Sequence, residues 1–329
     1  MVIELKTGQN DAGRRLDRIL RKALPDHSLS LIHRLLRQGK VLVNGSPAGP
    51  DERIHSGMTI RIETEEIGLS KTRSFPEEKK ERGSPSPALP EIIWRGSGVI
   101  VFNKPPGLAA HGPGGMDGIV RTFLAEKLPP SLSFRPGPLH RLDKPSSGLI
   151  AFSESLEGAR LFTGLLKEKK LIKTYLAIVE GHLTGDEIWR DELIRDKNIR
   201  KTFTAGGRPN LPDMPCPGRK AQDALTSVTA IAFRGGYTLI QAKIETGRTH
   251  QIRSQAAAHG HPLAGDVKYS GRKLSGAGRG GFYLHSWKIE TNEKERFPRL
   301  LIAPPPENFL SRVHILFGAE NKRRINTAT

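Results

Sequence analysis

The chain has 329 residues, 36% of them hydrophobic, and 52 Lys and Arg against 34 Asp and Glu give it a net charge of +18. That length has room for two domains, the low apolar share leaves some of the chain to linker or tail, and the positive excess suits a polyanion, nucleic acid ahead of an anionic membrane surface. Cys216 is the one cysteine, which excludes an intramolecular disulfide and a cysteine-rich zinc site and fits a reducing cytoplasm, while no apolar run approaches a membrane span and the N-terminus lacks a signal-peptide core.

Residues 1–12 read as a lead-in. From Arg14 the spacing of Leu16, Ile19, Leu20 and Ala23 predicts a helix, stopped by Pro25. A second helix is predicted from an N-cap at Ser28 or Ser30, with Leu31, Ile32, Leu35 and Leu36 apolar and Gly39 ending it. Arg14, Arg18, Arg34 and Arg37 lie on their polar faces. A charge run is usually a solvated face, but these charges are nearly all positive and sit on adjacent helices, which favours phosphate contact. Val41-Leu42-Val43 reads as a strand before an Asn44-Gly45 turn, and Met58, Ile60 and Ile62 mark another. The Arg15-Leu16-Asp17-Arg18-Ile19-Leu20 opening and the Ile32 to Gly45 run resemble the RNA-binding domain named after ribosomal protein S4, assigned here to residues 1–62. Residues 63–91 lose periodicity and gain Glu, Lys, Ser and Pro, the composition of a flexible linker.

A larger domain is expected over 92–318. Val99 to Phe102 reads as a strand ending at Lys104-Pro105-Pro106-Gly107, where Lys104 is either a solvated lysine or part of a site. Val120, Phe123 and Leu124 suggest a helix. Next comes His140-Arg141-Leu142-Asp143-Lys144-Pro145-Ser146-Ser147-Gly148, a carboxylate among basic side chains on a turn feeding the apolar strand Leu149 to Phe152. Asp143 there either caps the turn or is a reactive group on a rigid base. Leu156, Ala159, Phe162, Leu165 and Leu166 share one helix face, and Lys173 to Val179 reads as a central strand bearing Tyr175. Residues 190–222 read as loop. Thr226 to Phe233 and Tyr237 to Ile244 form a hairpin. In Glu245 to Arg253, Thr249 is positioned to cap a helix, which groups Arg248, His250, Gln251 and Arg253 at its N-terminus, a favourable place for anions. His259 and His261 have no acidic residue at helical spacing, so no metal site is assigned. His261 to Asp266 is a further turn with a carboxylate, Leu284 opens a late strand, and the basic residues 319–329 read as a frayed tail.

These motifs together resemble the RluA-like family of pseudouridine synthases, across roughly residues 92–310. The family's His-Arg-Leu-Asp followed by Thr-Ser-Gly stands here as His140 to Asp143 and Ser146-Ser147-Gly148, with serine for threonine and Lys144-Pro145 between. Lys104 to Gly107, Lys173-x-Tyr175-x-Ala177, Thr246 to Arg253 and His261 to Asp266 follow in family order, and Ser254-Gln255 departs from it. The resemblance implies an α+β fold, a mixed, mainly antiparallel sheet with flanking helices around a central cleft. It implies Asp143 as the catalytic aspartate, Arg253 as its ion-pair partner, and Tyr175 against the uracil ring. Arg141 matches the residue that enters the space left by a flipped base, and Lys104, Arg248 and His250 are candidates either to support the catalytic residues from behind or to bind RNA phosphate. No cofactor or metal is expected. The expected substrate is large-subunit ribosomal RNA, free or in an assembling particle, and the expected protein is a cytoplasmic monomer. Rival readings are a transfer-RNA synthase, a non-catalytic ribosome-assembly protein, and an N-glycoside hydrolase, which would release free uracil.

Overall fold

The computed structural model describes residues 2–63, 88–196, 198–205, 221–274, 281–293 and 295–326. These form two compact units: 1–89 with 117–137 and 153–160, and 90–116 with 138–152 and 161–329.

In the first unit, β1 (Val2–Lys6), α1 (Leu16–Ala23), α2 (Leu29–Arg37), β2 (Val41–Val43), β3 (Ser46–Pro47) and β4 (Thr59–Glu63) build a small α/β module. Ser28 caps α2, its hydroxyl accepting the Leu31 N–H at 3.2 Å. Asn44 and Gly45 both have positive φ, which turns β2 into β3. The sheet runs β1-β4-β2-β3 and buries Ile3, Leu5, Ile60 and Ile62 against Leu16, Ile19, Leu20 and Leu35 of the helices. The stretch expected to be a lead-in is therefore a strand. Ile3 and Leu5 alternate with polar neighbours, and β1 pairs along the whole of β4. Of the 63–91 stretch read as linker, Glu63 ends β4, and 64–87 lie outside the described residues.

This unit also takes in 117–137 and 153–160, which the domain boundaries read from sequence leave with the larger domain. One buried carboxylate accounts for much of that. Asp11 accepts hydrogen bonds from the Ser131 and Ser133 hydroxyls (2.7 and 2.6 Å) and from the Leu132, Ser133 and Gly8 N–H groups (3.0, 2.9 and 2.9 Å). Asn10 accepts the Leu156 N–H at 2.9 Å. Burial alone would raise the Asp11 carboxyl; the bonds from Ser133, Gly8, Ser131 and Leu132 outweigh it and hold it below its usual value.

The second unit is built on a large sheet, which continues the chain with β5 (Ile92–Gly96) and β6 (Val99–Lys104). After α3 (Met116–Leu124) come β7 (Ser147–Ser153), α4 (Leu156–Lys167), β8 (Leu171–Glu180), β9 (Asp186–Asp196), β10 (Lys201–Thr204), β11 (Gln222–Arg234), β12 (Tyr237–Ile244), α5 (Gln251–Ala258), β13 (Leu284–Thr291), β14 (Leu300–Ile302), α6 (Glu307–Phe317) and α7 (Ala319–Asn326). The strand order is β10-β9-β11-β12-β8-β13-β7-β6-β5, with β14 on β13. Pairing is mainly antiparallel; β13 and β7 run parallel. β8, apolar on both faces, lies between β12 and β13. Gly148 permits the parallel join. Its φ is +103°, and a Cβ there would collide with the Ser286 backbone.

Two sequence expectations are corrected here. Residues 190–196 and 201–204 are strand rather than loop: β9 pairs with β11 over eight positions from Asp186 to Leu193 and buries Trp189 and Leu193, so ladder hydrogen bonds support a composition that looks irregular. Residues 206–220 of that stretch lie outside the described residues. The tail expected to fray is helical through Asn326, because Ile325 is buried against the Phe309, Val313 and Phe317 cluster of α6.

Asp11→Asn is expected to lower the stability of the first unit by about 2–4 kcal/mol in urea unfolding at pH 7, since several charge-assisted bonds are lost. A depressed carboxyl stabilises above its unfolded value, so the gap between wild type and variant should close as pH falls below 3.8.

Candidate active site

A cleft of about 640 Å³ opens in the second unit. Residues 138–143 line one side, 244–253 another, and Lys173, Tyr175 and Leu284 also face it. The loop carrying Asp143 is fixed at several points before β7 begins. Pro138 pairs with Phe152, the Leu139 N–H donates to the Ala151 carbonyl (2.8 Å), and the Ala151 N–H donates to His140 Nε2 (3.0 Å). His140 stacks on Phe162 at 5.7 Å. Burial, with the charge of Lys173, pushes it down to about 3, so it is a neutral ring used as an acceptor. Beyond Asp143, the Ser146 N–H closes a turn onto the Asp143 carbonyl at 3.1 Å.

Lys104 secures the same loop. Its ammonium donates to the carbonyls of Pro105 (3.0 Å), Leu108 (2.8 Å) and Lys144 (3.3 Å), and the Gly107 N–H also donates to Lys144 (2.8 Å). Burial pushes it down to about 7 against the opposing charge of Asp143. It is 0% exposed, and of the two roles expected for it, support of the site and phosphate contact, its bonds are those of a clamp on the residue after Asp143.

Arg253 reaches Asp143 from α5. Its Nη1 donates to Asp143 Oδ2 at 2.8 Å, while Nε and Nη2 donate to Asp266 Oδ2 and Oδ1 at 2.7 and 2.8 Å. Asp266 is 2% exposed. The guanidinium plane lies 4.3 Å from the Phe282 ring centre and 4.9 Å from that of Tyr269. Burial lowers the arginine, and the bond and charge of Asp266, then of Asp143, more than restore it, leaving it raised. Asp266, Tyr269 and Phe282 are missed by the sequence reading as parts of this site. The Asp266 turn was its one visible signal, and no spacing tied that turn to Arg253.

His250 occupies the N-cap of α5 with a left-handed φ of 55°, where the sequence predicts Thr249. The Thr249 carbonyl instead accepts the Thr202 hydroxyl at 2.9 Å. His250 Nε2 is 3.6 Å from Asp143 Oδ1, and Nδ1 is 2.7 Å from the Tyr269 hydroxyl, which accepts the Thr202 N–H at 2.8 Å. Burial lowers the ring's basicity most; Asp143 opposes, and Arg253, Lys268 and Arg195 add to the fall, so it is neutral.

Tyr175 is 5% exposed at the cleft. Burial pushes its phenol up to about 12; Ser286 beside it pulls down and Asp143 adds to the rise. It therefore stays protonated at neutral pH. Arg141 and Arg248 line the cleft as exposed cations, the Nε of Arg248 also donating to the Asp223 carbonyl at 3.2 Å. In the first unit, Arg18, Arg34 and Arg37 are exposed on α1 and α2. Arg14 differs: it is half-buried, with Nη1 donating to the Ser133 carbonyl and hydroxyl at 3.0 and 3.2 Å, which turns it toward the fold.

A model of the RNA pseudouridylate synthase family matches residues 98–258, and a model of the S4 domain matches residues 14–60. The ribosomal large subunit pseudouridine synthase C of Salmonella typhimurium is 30% identical over 317 residues, 92% of each chain. The ribosomal large subunit pseudouridine synthase D of Neisseria meningitidis (serogroup A) is 31% identical over 263 residues, 78% of this chain, and the chain spans 64% of that relative's length. The solved structure titled human RNA pseudouridylate synthase domain containing 4 shares the fold, with a TM-score of 0.52, 20% identity, and coverage of 68% of this chain and 92% of that one. The chain belongs to the RNA pseudouridylate synthase family, with an S4 domain near its N-terminus.

Arg253→Met should destabilise the protein by about 3–5 kcal/mol in urea unfolding, because it strands two carboxylates, one of them fully enclosed. Asp266→Asn should perturb stability less, since a hydrogen-bonding oxygen remains.

Proposed function

We propose that the protein converts uridine to pseudouridine in large-subunit ribosomal RNA, with Asp143 as the catalytic residue. The observation that carries this reading is one carboxylate, paired with a buried arginine, in the same cleft as a buried tyrosine. Family membership and relatives named for large-subunit ribosomal synthases support it.

The reaction breaks the C1′–N1 bond, turns the uracil, joins C1′ to C5, and moves the C5 proton away. A carboxylate serves this as a nucleophile, or as the base that removes the C2′ proton. Either role needs one carboxylate oxygen held and the other within reach of the substrate. Arg253 takes Oδ2, and neutral His250 leaves Oδ1 without a second full ion pair. The two catalytic routes ask for the same geometry at Asp143: a fixed loop and one accessible oxygen. Tyr175 gives uracil an enclosed ring to rest on and keeps its own proton. The target base must leave its stack to enter, at a cost of a few kcal/mol. Arg141, exposed at the cleft, is suited to the vacated space because a guanidinium both stacks and donates.

The S4 domain adds affinity through exposed arginines on α1 and α2, and the larger unit reads RNA shape and the extruded base. The first test is pseudouridine mapping of large-subunit ribosomal RNA from cells lacking the gene. Wild type should restore a missing mark and Asp143→Asn should not, while the variant's RNA affinity stays within about threefold. A full set of marks without the gene would remove ribosomal RNA as substrate. In a second measurement, Arg18→Ala with Arg37→Ala should weaken RNA binding and flatten the plot of log affinity against log salt by roughly 1–2 units. An unchanged slope would take those arginines out of the RNA contact.

A further inference from the structure

Lys173 faces the cleft and its charge bears on His140, but it bonds to none of the residues that hold Asp143. It stands two residues before Tyr175 on β8, so strand alternation sends both side chains to one face, and both line the cleft. The residue is 4% exposed, yet its ammonium has no hydrogen-bond or ion-pair partner among the described residues. Its Nζ lies against the turn before α5, where a Cβ built on Gly247 would come within 2.9 Å of it. On another side its charge bears on His140. Asp143 is paired with Arg253, and no ion pair joins it to Lys173.

A buried charge without a partner is costly, and folded proteins pair such groups. Lys104 is a comparison within the same unit: it is just as enclosed and gives its protons to three carbonyls. Lys173 lacks any such set, so its charge does nothing for the fold. Burial is the influence on it, pushing it down to about 8, near the point where the proton is lost without an anion. The cleft, which Lys173 lines, is the route by which an anion reaches it. Arg141, Lys167, Lys169 and Arg248 line the same opening as exposed cations. Against one exposed carboxylate there, Glu245, these four cations make the opening net positive, and it leads inward to the Lys173 ammonium.

This step rests on RNA as the substrate. RNA brings one permanently ionised group per nucleotide, the phosphodiester, and a lysine binds it as a point charge. The carbonyls of uracil are neutral until the glycosidic bond breaks, so in the bound ground state the phosphate is the anion on offer. We propose that Lys173 binds one of the two phosphates flanking the target uridine, so that the backbone is held while the base rests on Tyr175.

The test uses the full-length protein and an RNA fragment that contains the target, with Lys173→Met and Lys173→Arg. Lys173→Met should raise Kd about tenfold while kcat at saturating RNA stays within about threefold. Lys173→Arg should recover most of the affinity. A neutral methylphosphonate at one flanking phosphate should weaken wild type by a similar factor and leave Lys173→Met unaffected. Because an unpaired charge is removed, Lys173→Met should melt no lower than wild type, so a variant that unfolds would make the lysine structural and overturn the proposal. An unchanged Kd would overturn it, as would a lost kcat at constant Kd, which would assign the cation to the departing base. Additive losses from the variant and the methylphosphonate would also overturn it. Absence of pseudouridine with wild type would instead sink the reaction reading, and the binding arms would still decide Lys173.

Discussion

Arg253 is one cation shared by two carboxylates, and the cleft depends on how unequally it is shared. Asp266 takes Nε and Nη2 in a two-pronged grip, which fixes the plane of the guanidinium. Tyr269 and Phe282 stand beside that plane. What remains is a single N–H edge, and it meets a single oxygen of Asp143. Lysine has no plane to lock, so it would hold either carboxylate and orient neither. Removing Asp266 would free the arginine to claim both oxygens of the half-buried Asp143, which is the opposite of what a reactive carboxylate needs.

The rest of the site secures the other side of that contact. Asp143 sits on a loop, but its backbone is tied down before and after it. Leu139 and His140 bind the β7 backbone, and the Lys144 carbonyl is held by a lysine and a backbone N–H from the β6 end. The basic side chains nearest the carboxylate divide by charge state. Arg253 stays charged, whereas burial keeps His140 and His250 neutral. Histidine here supplies shape and hydrogen bonds, and arginine supplies the field.

Legibility in the sequence followed the range of the interactions. The 3.6-residue spacing of Leu16, Ile19 and Leu20 and the alternation about Gly235-Gly236 are local, and both elements stand where the pattern puts them. Asp143, Tyr175 and Arg253 were found through ordered motifs, and the structure brings all three to one cleft. Asp266 was visible as a turn and invisible as a partner, because ion pairing across a fold leaves no spacing signal. Which of its two expected roles Lys104 takes was unreadable for the same reason: only burial separates a lysine that grips carbonyls from one that meets phosphate. β9 and the last helix were lost because pairing and one buried isoleucine, rather than composition, hold them.

The parallel join of β7 to β13 has a consequence for how the site comes into being. It brings Ser147 beside His285, which lies 138 residues further along the chain. Asp143 and Arg253 are separated by 110 residues. During synthesis at about 5–20 residues per second, the aspartate is therefore made about 5–20 s before its arginine. The residues of the first unit end at 160, so all of them are made before Arg253. The nascent chain thus holds every residue of its S4 domain while Asp143 still lacks Arg253, and the cleft is completed only when the last third of the chain arrives.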